Sequence, residues 1–435
     1  MAGNPSTRRL REPRQALQVT ISIDDSSRNE PQVYTTGSLI SGRAIIRSDI
    51  DAYCEDAEIL LLGLAGTRLE LTRHKPTRAL SPFLKMYMMT EAGDGGILEL
   101  ESPFPGPIAA GETISIPFRF VVPQYLLEGS CRHPCASHAV WERHSHLPPT
   151  LDGASDIEEH EFLARGRIQY YVEMRLRCYD DDVGSGAGCG MSKVVAGRQV
   201  VTILPALPEL PPLPLDSVAP GSFLPSKSVV VRRNLVQRAG RLAVSSAQPP
   251  AMMLDPSGRS SPCSVVRMDL DFRPGDCSAR PPPSRLVVSG TALGTTHLCA
   301  EPSELLPELS GEFGGGGGGK SPTTVQYSST CELFPRTPLK PAWRWSQDPT
   351  DGGGGGGGGC YRAQLEMPLL LPACQRKPIL PTFYSCLISQ TYILEVKISL
   401  GCATSDLSLT LPLQIGVCST DFSPSLTPAT LDSRY

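Results

Sequence analysis

The segment Cys131-Arg132-His133-Pro134-Cys135-Ala136-Ser137-His138, followed by His144 and His146, is the densest run of soft donors in the chain. Zinc takes four nitrogen or sulfur ligands converging as a tetrahedron. Cys131, Cys135, His138 and His144 offer such a set as C-x3-C-x2-H-x5-H, close to finger spacing without matching a standard one. The plainer expectation, and the preferred one, is a polar loop open to solvent that holds no metal. Other catalytic constellations are weaker. Gly314 to Ser321 spells the letters of a phosphate loop, ending Gly319-Lys320-Ser321. No strand precedes it, and six successive glycines give such a loop no defined shape. No Gly-x-Ser-x-Gly elbow occurs, and no cysteine sits in a recognisable nucleophile motif. Glu158-Glu159 and Asp180-Asp181-Asp182 lie in polar stretches and read as solvated.

Two further clusters suit binding. Arg232, Arg233, Arg238 and Arg241 could meet anionic lipid or phosphorylated cargo, because guanidinium pairs bidentately with phosphate. The preferred reading is a strand edge guarded by charge. Arg8, Arg9, Arg11 and Arg14 invite the same comparison. Pro205-x-x-Pro208 and Pro211-x-x-Pro214 have the spacing that SH3-type domains bind, although a spacer is the preferred reading.

The elements that must carry these residues are strands. Gly (41) and Pro (42) fill about a fifth of the 435 residues, which disfavours helical bundles. Leu17–Ile23, Glu112–Pro123 and Arg167–Cys178 alternate apolar and polar residues at period two, and the two prolines of the second suggest a sheet edge. Leu204–Leu215 is dense in proline and reads as a semi-rigid connector. Beyond it come Ser228–Arg232, Gly240–Val244, Ser264–Phe272, Leu286–Leu293, Tyr361–Leu371, Thr391–Leu400 and Leu407–Ile415. Six or seven strands on each side, with no amphipathic helix, imply an all-β protein of two immunoglobulin-type β-sandwiches. The expected organisation is a disordered arm over 1–14, a domain over 15–203, a linker over 204–221, a second domain over 222–418 and a disordered tail over 419–435. The glycine runs Gly314–Gly319 and Gly352–Gly359 mark a flexible insertion over about 301–360.

Net charge is −4, with no overall basic field for nucleic acid, and no apolar run is long enough to cross a bilayer. The N-terminus lacks the apolar stretch of a secretion signal. The fourteen cysteines are therefore expected to be reduced thiols in the cytoplasm. Cys54, Cys178, Cys386, Cys402 and Cys418 sit in apolar or strand-like runs, as small hydrophobes do.

Several segments resemble the arrestin superfamily, in particular the arrestin-domain (α-arrestin-like) proteins of filamentous fungi. They are Tyr34-Thr35-Thr36-Gly37-Ser38-Leu39-Ile40-Ser41-Gly42, the run from Gly111 to Pro123 with its Pro117-Phe118-Arg119-Phe120 centre, and Ile168-Gln169-Tyr170-Tyr171-Val172-Glu173-Met174-Arg175-Leu176. In the second half Gly240–Val244, Pro249-Pro250-Ala251, Thr391–Val396 and Leu411–Ile415 are similar to the opening and closing strands of the family's C-domain. The resemblance implies two arrestin-like sandwiches and a non-enzymatic adaptor without cofactor. Such an adaptor binds cytosolic tails of membrane proteins and links them to endocytic sorting or ubiquitination machinery. It implies a cytoplasmic protein recruited peripherally to plasma membrane or endosomes. No Pro-Pro pair is followed by x-Tyr, the family's ligase-recruiting motif, which argues against direct recruitment and leaves a ubiquitin ligase or its bridging adaptor as the implied partner. The alternative is a signalling or regulatory scaffold with no membrane cargo, and a third is a metal-dependent protein built on the Cys/His loop.

Overall fold

The structure is a computed structural model that describes residues 17–24, 32–69, 77–88, 90–91, 97–98, 106–151, 166–179, 192–207, 225–232, 238–258, 264–275, 282–307, 324–347, 359–371, 379–400 and 406–419. The remaining residues, including the glycine runs 314–319 and 352–358, the terminal segments and most of the proline-rich connector, lie outside that set. Among the described residues the chain is mostly strand, as the period-two patterns predict, and no helix is long and apolar enough to cross a membrane.

The first half contains β1 (Leu17–Ile23), β2 (Val33–Tyr34), β3 (Leu39–Ser48), β4 (Ala52–Leu69), β5 (Thr77–Tyr87), β6 (Thr90–Glu91), β7 (Ile97–Leu98), β8 (Gly106–Ile108), β9 (Thr113–Val121), the helix α1 (His138–His144), β10 (Arg167–Tyr179) and β11 (Ser192–Ile203). The second half contains β12 (Ser226–Arg232), β13 (Arg238–Ser245), β14 (Met252–Leu254), β15 (Ser264–Pro274), β16 (Leu286–Cys299), β17 (Thr324–Leu339), β18 (Arg344–Gln347), β19 (Gly359–Leu369), β20 (Phe383–Tyr384), β21 (Ile388–Ser399), β22 (Leu407–Leu413) and β23 (Ile415–Val417).

In the first half a three-stranded sheet, β1-β3-β9, faces a sheet in the order β2-β11-β10-β4-β5, with β8 also on β4. Alternation explains the burial. Ile116, Phe118 and Phe120 of β9 point inward while Ser115, Pro117 and Arg119 face out. β9 lies at the end of its sheet, where its proline costs no ladder bond. Tyr170 of β10 is wholly buried, stands edge-on to Phe83 at 5.4 Å, and donates its hydroxyl to the Pro148 carbonyl. That bond pins the connection between β9 and β10 to the core.

In the second half the sheet β12-β13-β15-β19-β18 covers the sheet β17-β16-β21-β20, and β14 pairs in parallel with β23. Among the described residues no sheet mixes strands from before and after the connector.

Two strands and one helix depart from the sequence reading. β17 and β18 occupy part of the expected flexible insertion, and β17 pairs along most of β16. The short helix α1 stands in a connection read as irregular. Ser137 caps it by accepting from the Val140 amide at 3.4 Å, and Arg143 and His144 place positive or polarisable groups at its C-terminal end. Seven residues with two buried side chains give too little periodicity for a sequence signal. The connector also begins later than expected. Pro205 and its neighbours Leu204, Ala206 and Leu207 are buried, with Leu204 N–H donating to the Tyr34 carbonyl at 2.8 Å. A further correction concerns thiols. Cys54 of β4 and Cys178 of β10 face each other in register on the inward side, and their sulfurs are bonded as a disulfide rather than reduced.

The halves meet along a packed seam. Leu298, Ala300, Phe383, Leu387 and Ile388 of the second half belong to the apolar core of the first. Leu204 and Val33 pack in turn on the core of the second. Gly166, just before β10, makes this approach possible. A Cβ at 166 would lie 2.3 Å from Leu298 Cδ2 and 2.9 Å from Ile388 Cδ1. Nearby, Thr67 Oγ1 donates to the Cys299 carbonyl at 2.7 Å.

Substituting Gly166→Leu is expected to destabilise the full chain by about 2–3 kcal/mol in denaturant titration, because the seam has no room for the side chain. A pH effect should arise at His297 of β16, which is buried beside Thr391 at 2.9 Å and whose pKa is lowered to about 4 by burial. The unfolded chain binds this proton near 6.5, so the neutral form in the fold loses stability as pH falls from about 6.5 to about 4 and loses no more below that. His297→Gln should flatten that part of a melting-temperature against pH curve relative to the parent.

Candidate metal centre

The segment that carries the thiols and imidazoles is anchored at both ends. On one side β9 leads through Val122 into Gln124 and Tyr125, and Tyr125 forms a bridge with His146. On the other, Leu147 is fully buried and Thr150 exchanges two 2.8 Å hydrogen bonds with the backbone of Ile203. The helix α1 springs from this anchor and turns His144 inward, where it is 1% exposed. The second half supplies its part from the β20–β21 turn. There Ser385 closes the turn on Ile388, with the Ser385 amide donating to the Ile388 carbonyl at 3.0 Å. Cys386 sits at the tip, and its carbonyl accepts from the Ser303 amide at 2.8 Å. The 131–136 loop docks on the same stretch through the Ala136 amide, which donates to the Glu304 carbonyl at 2.9 Å.

The result brings donors of both halves together. Cys131 Sγ, the ligating nitrogens of His133 and His144, and Cys386 Sγ all lie within 4.8 Å of one another. Cys131 Sγ is 3.2 Å from His133 Nε2 and 3.8 Å from Cys135 Sγ. Cys135 Sγ is 4.0 Å from His144 Nδ1. Zinc–sulfur bonds of about 2.3 Å would set a tetrahedral sulfur–sulfur edge near 3.8 Å. The Pro134 carbonyl, which can only accept, lies 2.8 Å from His133 Nδ1. That pairing places the ring proton on Nδ1 and leaves the Nε2 lone pair toward Cys131, as a hydrogen-bond acceptor behind a metal-binding imidazole does when it fixes the ring's tautomer and orientation.

Burial sets the charge state. Burial, then the neighbouring His133, lowers the pKa of His144 to about 4, so its imidazole is neutral and free to ligate. Burial, then the Cys131 thiol, pushes the Cys135 thiol up to about 11. Burial also raises the Cys131 and Cys386 thiols. Several thiols crowded at low dielectric cannot all ionise alone. A divalent cation among them reverses that preference by taking the charge.

The four residues expected from sequence spacing separate here. Cys131, Cys135 and His144 join the cluster. His138 does not: it is exposed on the outer side of α1, its ring 5.4 Å from that of Trp141. His133 and Cys386 join instead. No local spacing signals Cys386, since it arrives from the other half of the chain through the fold. The loop touches the second half through Ala136, while Arg132, Pro134, Ala136, Ser137 and His138 are exposed, as expected of an open loop, and Cys131, His133 and Cys135 are half-buried.

The other candidate residues fall elsewhere. Arg232 and Arg238 face each other across β12 and β13, and Arg241 of β13 faces Arg273 of β15. These side chains are exposed on the outer face of the second half. The same face carries a charged ladder, with Arg267 to Glu366 at 2.8 Å and Arg362 to Asp271 at 3.2 Å. Arg233, Pro208, Pro211 and Pro214 lie outside the described residues. Pro205 is buried, which removes it from reach of a peptide-binding domain.

A second polar feature escaped the sequence. Glu173 of β10 is 1% exposed on the sheet face opposite the core, bonded to Arg175 Nε at 3.0 Å and to Arg198 at 3.2 Å. Its alternating strand context reads as a solvated position, and only the flanking arginines hinted at a pair. No family model and no curated protein matches the chain.

Proposed function

We propose that this chain is a non-enzymatic adaptor with two arrestin-like sandwiches. It holds the cytosolic tail of a membrane protein and links it to endocytic sorting or ubiquitination machinery from the cytoplasmic side of the membrane. The observation that carries the binding half of this reading is the free edge of the first half's larger sheet. β5 ends the order β2-β11-β10-β4-β5, so among the described residues its outer side pairs with no strand. It presents Leu80, 72% exposed, between the basic side chains of Arg78 and Lys85, and Tyr87, 50% exposed, whose ring centroid lies 4.6 Å from Lys85 Nζ.

An extended peptide recognises such an edge by adding a strand, with main-chain bonds for affinity and alternate side chains for selectivity. Soluble proteins normally guard an exposed edge with charge, proline or a bulge. Lys85, Pro82 and the register shift beside Gly63 serve that purpose here, while Leu80 leaves an apolar contact for a bound tail. The basic flanks favour tails with acidic or phosphorylated residues. The link to sorting or ubiquitination rests on the family resemblance of the sequence motifs.

Gentle cross-linking of the full chain in native cytosol, followed by mass spectrometry, tests the adaptor reading. Integral membrane proteins with coat or ligase components are expected, whereas kinases or nuclear factors without any membrane protein would favour the scaffold. Leu80→Arg should lower recovery of the membrane proteins about tenfold with an unchanged melting temperature, since one apolar anchor is worth about 1–2 kcal/mol. Equal recovery would remove β5 as the cargo edge.

A further inference from the structure

We infer that a zinc ion binds where the two halves meet, held by Cys131, His144 and Cys386 with a fourth donor from the 131–135 loop, and that it staples the second half to the first. In the arrangement seen here His133 is the fourth donor within 4.8 Å of the others. Cys135, 3.8 Å from Cys131 and 4.0 Å from His144, is the thiol able to replace it. Two observations independent of spacing point to a ligand. The donors converge from both sides of the seam to within 4.8 Å. The Pro134 carbonyl then fixes the His133 tautomer with Nε2 toward the cluster.

The donor chemistry selects the ion. Two thiols and two imidazoles converging to within 4.8 Å suit Zn2+, while Mg2+ and Ca2+ require oxygen ligands that this donor set lacks. Four protein donors leave no open position for water, so the ion is structural rather than catalytic. On binding, each ligating thiol gives its proton to solvent and shares the new electron pair with the metal. No oxidant or reductant is needed.

The location gives the ion its consequence. Cys386 is at the tip of the β20–β21 turn, and Phe383, Leu387 and Ile388 around it pack into the first core. The 131–136 loop belongs to the first half and touches the second where the Ala136 amide donates to the Glu304 carbonyl. Binding energy of the ion therefore adds to the free energy of closing the seam. This centre does not depend on the cargo reading, because its test involves no membrane partner.

The full chain, expressed without a histidine tag in zinc-supplied medium and purified without chelator, should carry about one zinc per chain by elemental analysis. Cobalt exchanged into the site should give the visible bands of a tetrahedral ion and a thiolate-to-metal charge-transfer absorption. Cys131→Ser and Cys386→Ser should each abolish both signals, and His133→Ala combined with Cys135→Ser should do the same. Cys386→Ser should also lower the melting midpoint by roughly 5 °C with an unchanged far-ultraviolet spectrum. Should the variants fail to fold, metal content and the cobalt spectrum of the parent chain still decide. The inference is overturned by a parent chain without stoichiometric metal, by full zinc retention in Cys386→Ser, or by peptide mapping that finds Cys131 in a disulfide with Cys135 or Cys386.

Discussion

The close approach of Leu298 and Ile388 to the bare backbone at Gly166 governs how the two halves relate. Because no side chain stands at 166, β16 and β21 reach the start of β10, and the second half contributes five apolar residues to the first core. Everything distinctive at the seam follows from that distance. Thr67 meets the Cys299 carbonyl, the 299–304 stretch supports the 131–136 loop, and Cys386 is carried to within reach of Cys131. Burying apolar area at about 25 cal/mol per Å2 makes such contact favourable, and the shape fit fixes its register.

Much of the architecture was legible because a half-buried strand writes its pattern every second residue. β10 is the clearest case: Ile168, Tyr170, Val172, Met174 and Leu176 alternate in sequence and are buried together. Pro117 within β9 and Pro123 just beyond it correctly marked an edge. What could not be read is non-local or too short. α1 spans two turns and buries two side chains, which leaves no 3.6-residue periodicity to detect. β17 was hidden by the glycine-rich composition on either side of it. The pairing of Cys54 with Cys178 depends on the register of β4 against β10, and composition argued for free thiols. The cluster at the seam was half visible. Cys131, Cys135 and His144 are local, but His138 looked as suitable as they did, and Cys386 could be placed only by the fold.

Charge is arranged in two contrasting ways. On the outer face of the second half, arginines alternate with carboxylates along β15 and β19, and the exposed pairs contribute little individually. On the outer face of the first half, Glu173 is withdrawn from solvent and must keep both Arg175 and Arg198 to offset its desolvation. The first arrangement keeps a broad sheet soluble. The second fixes the local order of β10 and β11 near a small apolar cluster of Leu60, Leu62 and Tyr171.

The closing strand β23 sets the timetable of synthesis. Ile415, Gly416 and Val417 are all buried, pair in parallel with β14, and bond through Val417 with Leu207 at the end of the first half. A ribosome delivers β14 and Leu207 long before it delivers their partner. The first sandwich can acquire most of its core as it emerges, whereas the second waits with its apolar face incomplete until residues 415–417 are made. For that interval the edge of β14 has no partner, and a premature stop before residue 415 yields a product in which that pairing cannot close.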